Sequence, residues 1–130
     1  MNTNEHTGVK RMDVQVLSYQ GKVYVASCSP CTIFMSSRDI IELLALGGEH
    51  ETNLFMLKET DFDAAFYDLK SGLAGEIMQK FSNYRVRAVI VGSFQSVRNK
   101  RFREFMAESN KGNQLRFMQE KDAALQWLIQ

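Results

Sequence analysis

Residues 66–94 read FYDLKSGLAGEIMQKFSNYRVRAVIVGSF, and this stretch contains one helix and one strand in succession. Its apolar residues first recur at the spacing of a single helical face: Leu73, Ala74, Ile77, Met78 and Phe81. This spacing predicts a helix over residues 72–82. The run from Val86 to Val91 is rich in β-branched residues, so it predicts a buried strand that we expect to be the central one. A helix that leads directly into a buried strand is typical of α/β proteins.

The residues that precede this stretch predict a hairpin, a helix and a strand. Apolar side chains alternate over residues 12–26, with Gln20-Gly21 as the turn, which predicts two paired strands. Ser36 and Asp39 form a variant of the capping box and predict the start of a helix that ends at Gly47-Gly48. Residues 54–57 are all apolar, which is typical of a strand covered on both faces.

The residues that follow complete an alternating pattern. Residues 99–110 predict a helix, residues 115–117 an edge strand, and the apolar residues from Ala124 to Leu128 a final helix. The order is therefore β-β-α-β-α-β-α-β-α, which predicts a mixed sheet with helices packed on it. We expect residues 10–130 to form a single α/β domain and residues 1–9 to be disordered.

Composition excludes several classes of protein. The chain has 130 residues, 45% of them apolar and 24% charged, with a formal net charge of +1. These values disfavour a wholly basic nucleic-acid-binding protein and an acidic disordered tail. The N-terminus lacks the apolar core of a signal peptide, and no apolar run approaches the length of about 18 residues that a membrane span requires. We therefore predict a cytoplasmic protein.

The near-neutral net charge is the sum of two opposed regions. Residues 80–116 contain nine basic and two acidic side chains, a charge of +7, whereas the remainder of the chain carries −6. A polarised charge distribution favours steering toward a protein partner, or toward a second copy of the chain. The densest basic run, residues 98–103, also suggests nucleic-acid binding. Because Phe102 and Phe105 belong to the apolar stripe of the predicted helix, they would not be exposed for base stacking, and we disfavour that interpretation.

Two phrases of the sequence carry a resemblance to a known family. DLKSGLAGE at residues 68–76 and ESNKGN at residues 108–113 are distinctive. With the segments around them, the chain resembles the bacterial domain-of-unknown-function family numbered 4180, over residues 12 to 129. This resemblance implies no established activity.

The turn at residues 68–73 is also similar to that of STAS domains, named for sulfate transporters and anti-sigma factor antagonists. The shared pattern is a strand, an aspartate, a Ser-Gly-Leu that opens a helix, and an apolar strand. The resemblance implies a STAS-like fold, and it implies that Ser71 is the position that a partner kinase phosphorylates in the antagonists. Here two residues separate Asp68 from Ser71, whereas the antagonists keep the two closer. This departure weakens the inference of kinase recognition more than it weakens the inference of the fold.

The residue chemistry of this turn indicates a binding surface without reference to either family. Ser71 can cap the free backbone N–H groups of the following helix, and those groups, together with the helix dipole and Lys70, favour an anion. Gly72 and Gly75 permit close approach of another backbone or a phosphate. The structural alternative is that Ser71 is only a helix cap and Gly75 lets the helix pack tightly on the sheet.

We therefore predict a non-catalytic bacterial regulatory or protein-interaction domain, without a cofactor. Its working surface would be the segment from Asp68 to Glu76, with a phospho-switch at Ser71, beside the basic helix that carries Lys100, Arg101 and Lys111. The alternative is a small-ligand or anion-binding protein, with enzymatic activity left open, that uses the same helix N-terminus. A homodimer formed through an edge strand such as residues 115–118 is a third hypothesis.

Cysteine and acidic residues suggest chemistry that we regard as subsidiary. Cys28 and Cys31 form a C-x-x-C pair after a strand, but an apolar segment separates the pair from the next helix cap, so redox catalysis is disfavoured. The pair supplies two ligands where a closed zinc site uses four, and we predict no metal. Asp61, Asp63 and Asp68 could serve acid–base or metal chemistry, although a solvated acidic loop is the interpretation that we favour.

Overall fold

The computed structural model describes residues 13–28 and 34–130 of the chain. The predicted order of elements is confirmed, whereas the predicted disorder of residues 1–9 lies outside the described residues. The elements are β1 (Val14–Tyr19), β2 (Lys22–Ser27), α1 (Ser37–Glu49), β3 (Leu54–Lys58), α2 (Leu73–Asn83), β4 (Arg87–Val91), α3 (Lys100–Ser109), β5 (Leu115–Met118) and α4 (Lys121–Leu128). Three short 3-10 turns, at residues 59–61, 64–67 and 69–71, connect β3 to α2.

The five strands form one mixed sheet in the order β1-β2-β3-β4-β5. β1 pairs antiparallel with β2, and every other neighbouring pair is parallel, which confirms a mixed α/β domain. β3 is the middle strand, so the prediction that the Val86–Val91 segment forms the central strand is wrong. β4 lies one place further out and is nevertheless buried, because helices cover it on both faces.

Side chains alternate between the two faces of the sheet, and different helices cover each face. Phe55 of β3 and Ala88 of β4 belong to the large core, which α1, α2 and α3 complete. Met56 and Val89, their neighbours along the strands, belong to a smaller core under α4. Because consecutive strands lie side by side, successive crossovers of one hand place α1, α2 and α3 on the same face.

The beginning of α1 is as predicted, but its end is not. The Asp39 carboxylate accepts hydrogen bonds from the backbone N–H groups of Ser36, at 3.1 Å, and Met35, at 2.8 Å, as a capping box requires. The helix then continues through Gly47-Gly48 to Glu49, so the prediction that this pair ends it is wrong. Packing explains the difference: Gly47 is buried, and a Cβ built on it would lie 2.5 Å from the Phe55 ring and 2.8 Å from the Thr52 carbonyl oxygen.

Alanine at the two adjacent glycines of α1 should have opposite effects. We expect Gly47→Ala to lower the free energy of unfolding by about 1–3 kcal/mol, because its Cβ overpacks against a backbone carbonyl and a core ring. Gly48→Ala should raise the free energy of unfolding by about 0.5–1 kcal/mol, because its Cβ meets nothing and alanine is the better helix former. Urea denaturation of both variants measures the difference, and equal effects would contradict this packing.

Candidate functional site

The predicted working surface begins in the 3-10 turns between β3 and α2. The Asp63 carboxylate accepts a hydrogen bond from the Ala65 N–H at 3.0 Å, and the Asp68 carboxylate accepts one from the Lys70 N–H at 3.1 Å. Each aspartate therefore caps the turn that follows it. These two residues therefore have a structural role, and Asp68 is also exposed to solvent as predicted.

Ser71 joins this turn to the start of α2. Its hydroxyl donates a hydrogen bond to the Ala65 carbonyl oxygen at 2.6 Å and accepts one from the Leu73 N–H at 3.1 Å. Gly72 between them has φ +84°, a conformation that permits the chain to leave the 3-10 turn and enter the helix. The capping chemistry predicted for Ser71 is confirmed, and the same hydroxyl also ties the turn together.

All six residues predicted for this surface are exposed: Asp68, Lys70, Ser71, Gly72, Gly75 and Glu76. A Cβ built on Gly75 would meet nothing within 4 Å. The interpretation that Gly75 lets the helix pack tightly on the sheet is therefore wrong, since this position faces open space.

The basic helix α3 lies beside this surface. Phe102 is completely buried, and Phe105 and Met106 pack partly buried against the same core, which confirms the predicted inward face. The three residues predicted to face a partner, Lys100, Arg101 and Lys111, are exposed. Lys111 forms an ion pair with Glu108 at 3.6 Å on the surface.

An open groove of about 440 Å³ forms where the 3-10 turn at residues 69–71 meets α3. Five residues line it: Leu69, Arg101, Glu104, Phe105 and Glu108. The four from α3 follow one another at helical spacing, so they present one continuous strip of the helix. Leu69 and Phe105 make the groove apolar in part, and charges of both signs flank it. We call segment 68–76, in which all residues but Leu69, Leu73 and Ala74 are exposed, together with this groove the turn–helix surface.

Not all of the basic residues between 80 and 116 contribute free charge to the surface. Arg87 donates a hydrogen bond to the Trp127 carbonyl oxygen at 2.6 Å, and its guanidinium lies 4.1 Å from the centre of the Trp127 ring. Burial, and then the charge of Arg116 nearby, lowers the pKa of Arg87. Arg103 donates to the Val97 carbonyl oxygen at 2.6 Å. Both arginines therefore hydrogen-bond to backbone carbonyls, but only Arg87 is partly buried, and Arg103 stays exposed on the surface.

The sequence did not predict a network of hydrogen bonds at the carboxyl ends of β3 and β4. The Glu59 carboxylate accepts hydrogen bonds from the Phe94 N–H at 3.0 Å and the Ser96 hydroxyl at 3.4 Å. Tyr67 donates its hydroxyl hydrogen to the Glu59 carbonyl oxygen at 2.6 Å. Gly92 is the sequence signal that could have indicated this contact, because a Cβ there would lie 2.5 Å from the Glu59 Cβ.

A cleft of about 510 Å³ opens beside this network, lined by apolar residues such as Phe62 and Val97 as well as by Tyr67, Ser96 and Arg98. Burial, followed by the charges of Glu59 and Asp61, raises the pKa of Tyr67 far above its ordinary value. The hydroxyl therefore stays protonated and acts as a hydrogen-bond donor. Because the Glu59 carboxylate is already bonded to the loop after β4, the arrangement fixes that loop.

Asp61 is completely buried, contrary to the prediction of a solvated acidic loop. One carboxylate oxygen, Oδ2, accepts a hydrogen bond from the Ser27 hydroxyl and another from the Lys58 N–H, the latter at 2.7 Å. The other oxygen, Oδ1, has no hydrogen-bond partner among the described residues. Burial raises the pKa of Asp61, and the bonds from Ser27 and Lys58 oppose that shift only in part.

The remaining predicted candidates are more dispersed. Cys28 is exposed and lines an apolar cleft of about 310 Å³ on the α4 face, together with Tyr24, Met56 and Lys121. Cys31 lies outside the described residues, so the C-x-x-C pair stays a prediction. Within the described ranges, no group of three His, Cys, Asp or Glu residues is arranged to hold a metal ion. Nor is any helix within those ranges both long and apolar enough to span a bilayer.

Comparison with known proteins identifies the family. The model of DUF4180, a domain of unknown function, matches residues 20–128. This chain belongs to the DUF4180 family. No curated protein and no solved structure matches the chain. The predicted membership is thereby confirmed, and the likeness to STAS domains stays a prediction.

Proposed function

We propose that this member of the DUF4180 family is a non-catalytic regulatory or protein-interaction domain that binds its partner through the turn–helix surface. The open groove between Leu69 and α3 is the observation that carries the proposal. Protein interfaces combine a small apolar centre with a polar rim, and the groove offers Leu69 and Phe105 within a charged border. Its mixed charges favour a partner segment that also carries both signs.

The exposed residues of segment 68–76 extend this groove with polar side chains and with the backbone at Gly72 and Gly75. Ser71 uses its hydroxyl within the protein, and Asp68 caps a turn, so neither side chain converges on an enclosed ligand pocket. Exposed polar side chains beside an open groove suit a macromolecular partner, since small-molecule sites are typically enclosed and concave.

Phosphorylation of Ser71 would act as a switch on this surface. A phosphate removes the hydroxyl hydrogen, so the bond to the Ala65 carbonyl oxygen is lost, and it adds a charge of about −1.5 to −2 beside the N-terminus of α2. The dipole of α2 favours this charge, whereas the turn loses the hydrogen bond between Ser71 and Ala65 that holds it. We therefore expect the modification to rearrange residues 64–71 while α2 stays folded.

The switch can be tested with three substitutions at Ser71. We expect Ser71→Asp and Ser71→Ala to change partner affinity at least severalfold, because both remove the donor to Ala65. Ser71→Thr keeps the hydroxyl and should retain the wild-type affinity. Ser71→Ala should also lower the free energy of unfolding by about 1 kcal/mol. Wild-type affinity in both Ser71→Asp and Ser71→Ala would exclude the switch.

The interaction surface itself can be tested by photo-cross-linking in the native cell. Gly75 on the turn–helix surface and Gly48 on α1 are both exposed helical glycines with open space above them, so a photoreactive residue fits at either. We expect one defined protein adduct from position 75 and none from position 48. Arg101→Glu in the groove should abolish the adduct, whereas Arg38→Glu on α1 should not. The absence of an adduct at position 75, or the same adduct from both positions, would contradict the proposal.

The small-ligand alternative makes a different prediction. Inorganic phosphate, sulfate or a nucleotide held by Lys70 and the N-terminus of α2 would stabilise the folded state by mass action. A thermal-shift measurement on the wild type and on Lys70→Ala separates the two hypotheses. A rise in melting temperature that Lys70→Ala removes would favour the ligand, and an unchanged melting temperature favours the protein partner.

A further inference from the structure

The two outer strands of the sheet, β1 and β5, differ in how their outward backbone groups are satisfied. An edge strand presents a row of N–H and C=O groups that can pair with another chain, and natural proteins usually cover or disrupt such a row. Accounting for these groups on each strand shows which edge is open to a partner.

The edge at β5 is closed by the end of α3. The carbonyl oxygens of Gln114 and Met118 face β4, where they accept hydrogen bonds from the N–H groups of Ala88 and Gly92. The backbone groups of the alternate residues, Leu115 and Phe117, therefore point outward. The Asn110 side chain accepts from the Phe117 N–H at 2.7 Å and donates to the Phe117 carbonyl oxygen at 3.1 Å. The Ser109 hydroxyl donates to the Leu115 carbonyl oxygen at 2.6 Å. The hypothesis of self-association through residues 115–118 therefore meets an edge that is already occupied.

The edge at β1 has no such cover among the described residues. Cys28 donates its N–H to the Asp13 carbonyl oxygen at 2.9 Å, and this bond sets the alternation along the hairpin. The backbone groups of Val14, Val16 and Ser18 consequently point away from β2. The six residues of β1 read VQVLSY, without a charge or a proline that would discourage pairing.

Apolar side chains are exposed along the same hairpin. Six large apolar side chains are exposed in the described part of the chain, and three of them, Val16, Leu17 and Val23, lie here with 38% exposure each. Val16 and Val23 lie on the face of the sheet that α1 covers nearer its centre. Leu17 lies on the opposite face, which α4 covers. A strand added at this edge would therefore bury apolar surface on both faces of the sheet as well as pairing the backbone.

We propose that β1 pairs with β1 of a second copy, antiparallel and about a two-fold axis at Val16, to form a continuous ten-stranded sheet. In this register Val16 lies opposite Val16 of the other copy, and Val14 lies opposite Ser18. All three outward residues then exchange hydrogen bonds, about six in total. Gln15 lies opposite Leu17, so no like charges meet across the axis.

The pairing is self-limiting, which favours a second copy over an open-ended assembly. A two-fold interface uses the same surface on both chains and closes the assembly at two. The edges left at the ends of the combined sheet are the β5 strands, which Asn110 and Ser109 already occupy.

The first experiment measures molecular mass by light scattering across micromolar concentrations. We expect the wild type to have twice the chain mass of 14.9 kDa. Val16→Lys places two ammonium groups at the axis and should halve the mass, whereas Val16→Thr keeps a β-branched side chain and should stay dimeric. Circular dichroism confirms that both variants fold. A wild type of single-chain mass at all concentrations overturns the proposal and assigns the edge to another occupant, such as residues 1–12 of the same chain.

The second experiment fixes the register by disulfide formation in a chain that carries Cys28→Ser and Cys31→Ser. Paired residues of a hydrogen-bonded antiparallel site have Cα atoms about 5.5 Å apart, within disulfide range, so Val16→Cys should cross-link to itself on mild oxidation. Two copies of Ser18→Cys would have Cα atoms about 14 Å apart, so Ser18→Cys alone should not cross-link. Ser18→Cys mixed with Val14→Cys should cross-link, because these two positions lie opposite each other in the proposed register. A dimer that survives Val16→Lys, or self-cross-linking at position 18 but not at position 16, overturns the proposal.

Discussion

Replacement of Phe102 by alanine is expected to lower the free energy of unfolding by about 3–5 kcal/mol. Phe102 is completely buried, and four rings surround it at centroid distances of 5.2–5.9 Å: Phe66, Tyr67, Phe105 and Phe117. These rings belong to a 3-10 turn, α3 and β5, so one side chain joins three elements. Removing it leaves a cavity and also forfeits the edge-on ring contacts, which add to the cost of lost burial.

Phe105 provides the matched control because it is the same residue type on the same helix, one turn further along. It is only half-buried and lines the groove of the turn–helix surface. We expect Phe105→Ala to cost about 1–2 kcal/mol in stability, in proportion to its smaller buried area. Urea denaturation measures both variants, and a cost for Phe102→Ala no larger than that for Phe105→Ala would contradict the central position of Phe102.

Phe102 also illustrates what the sequence was able to predict. Its spacing from Phe105 and Met106 marks the inward face of a helix, and this periodicity depends only on helix geometry. The alternation of helices with apolar strands predicted the layered architecture for the same reason. Periodic burial is a local property of the chain, so the order of all nine elements could be derived without knowledge of any contact.

Features that depend on distant contacts could not be derived in this way. Gly47-Gly48 has the composition of a helix end, yet α1 continues because Gly47 packs against Phe55. Asp61 follows a strand in a polar segment, and its burial depends on Ser27, which lies 34 residues earlier. The closure of β5 depends on Asn110, whose amide reproduces both hydrogen bonds of a missing strand. None of these pairings leaves a periodic signal.

Part of the candidate surface could be predicted from the sequence, and part of it could not. The exposure of the six predicted residues in segment 68–76 and the capping chemistry of Ser71 follow from turn and helix signals. The groove does not, because it forms only when Leu69 is brought beside α3, some 30 residues further along the chain. The sequence therefore predicted the position of the surface along the chain, whereas the shape of the groove depends on tertiary packing.

The second large effect concerns Asp61 and the dependence of stability on pH. Burial raises the pKa of this carboxyl in the folded protein above its value of about 3.9 in the unfolded chain. The protonated form is thus the one that the folded state favours. The stabilisation is fully present below the unfolded pKa and is lost as the pH rises through the folded pKa.

We therefore expect Asp61→Asn, which keeps an acceptor for Ser27 and Lys58 but cannot ionise, to gain stability relative to the wild type as the pH rises from about 3.5 to 8. Each unit by which the folded pKa exceeds the unfolded one contributes about 1.4 kcal/mol to that gain.

Asp63→Asn removes the same charge from a half-buried cap two residues away and reports the effect of charge removal alone. Asp61→Ala instead leaves the buried donors of Ser27 and Lys58 without an acceptor and should cost about 2–4 kcal/mol at every pH. Denaturation curves recorded at several pH values measure this difference in stability between Asp61→Asn and the wild type. A difference that stays level with rising pH would show that folding leaves the pKa of the carboxyl unchanged, and one that shrinks would show that folding lowers it. Either result would contradict the prediction.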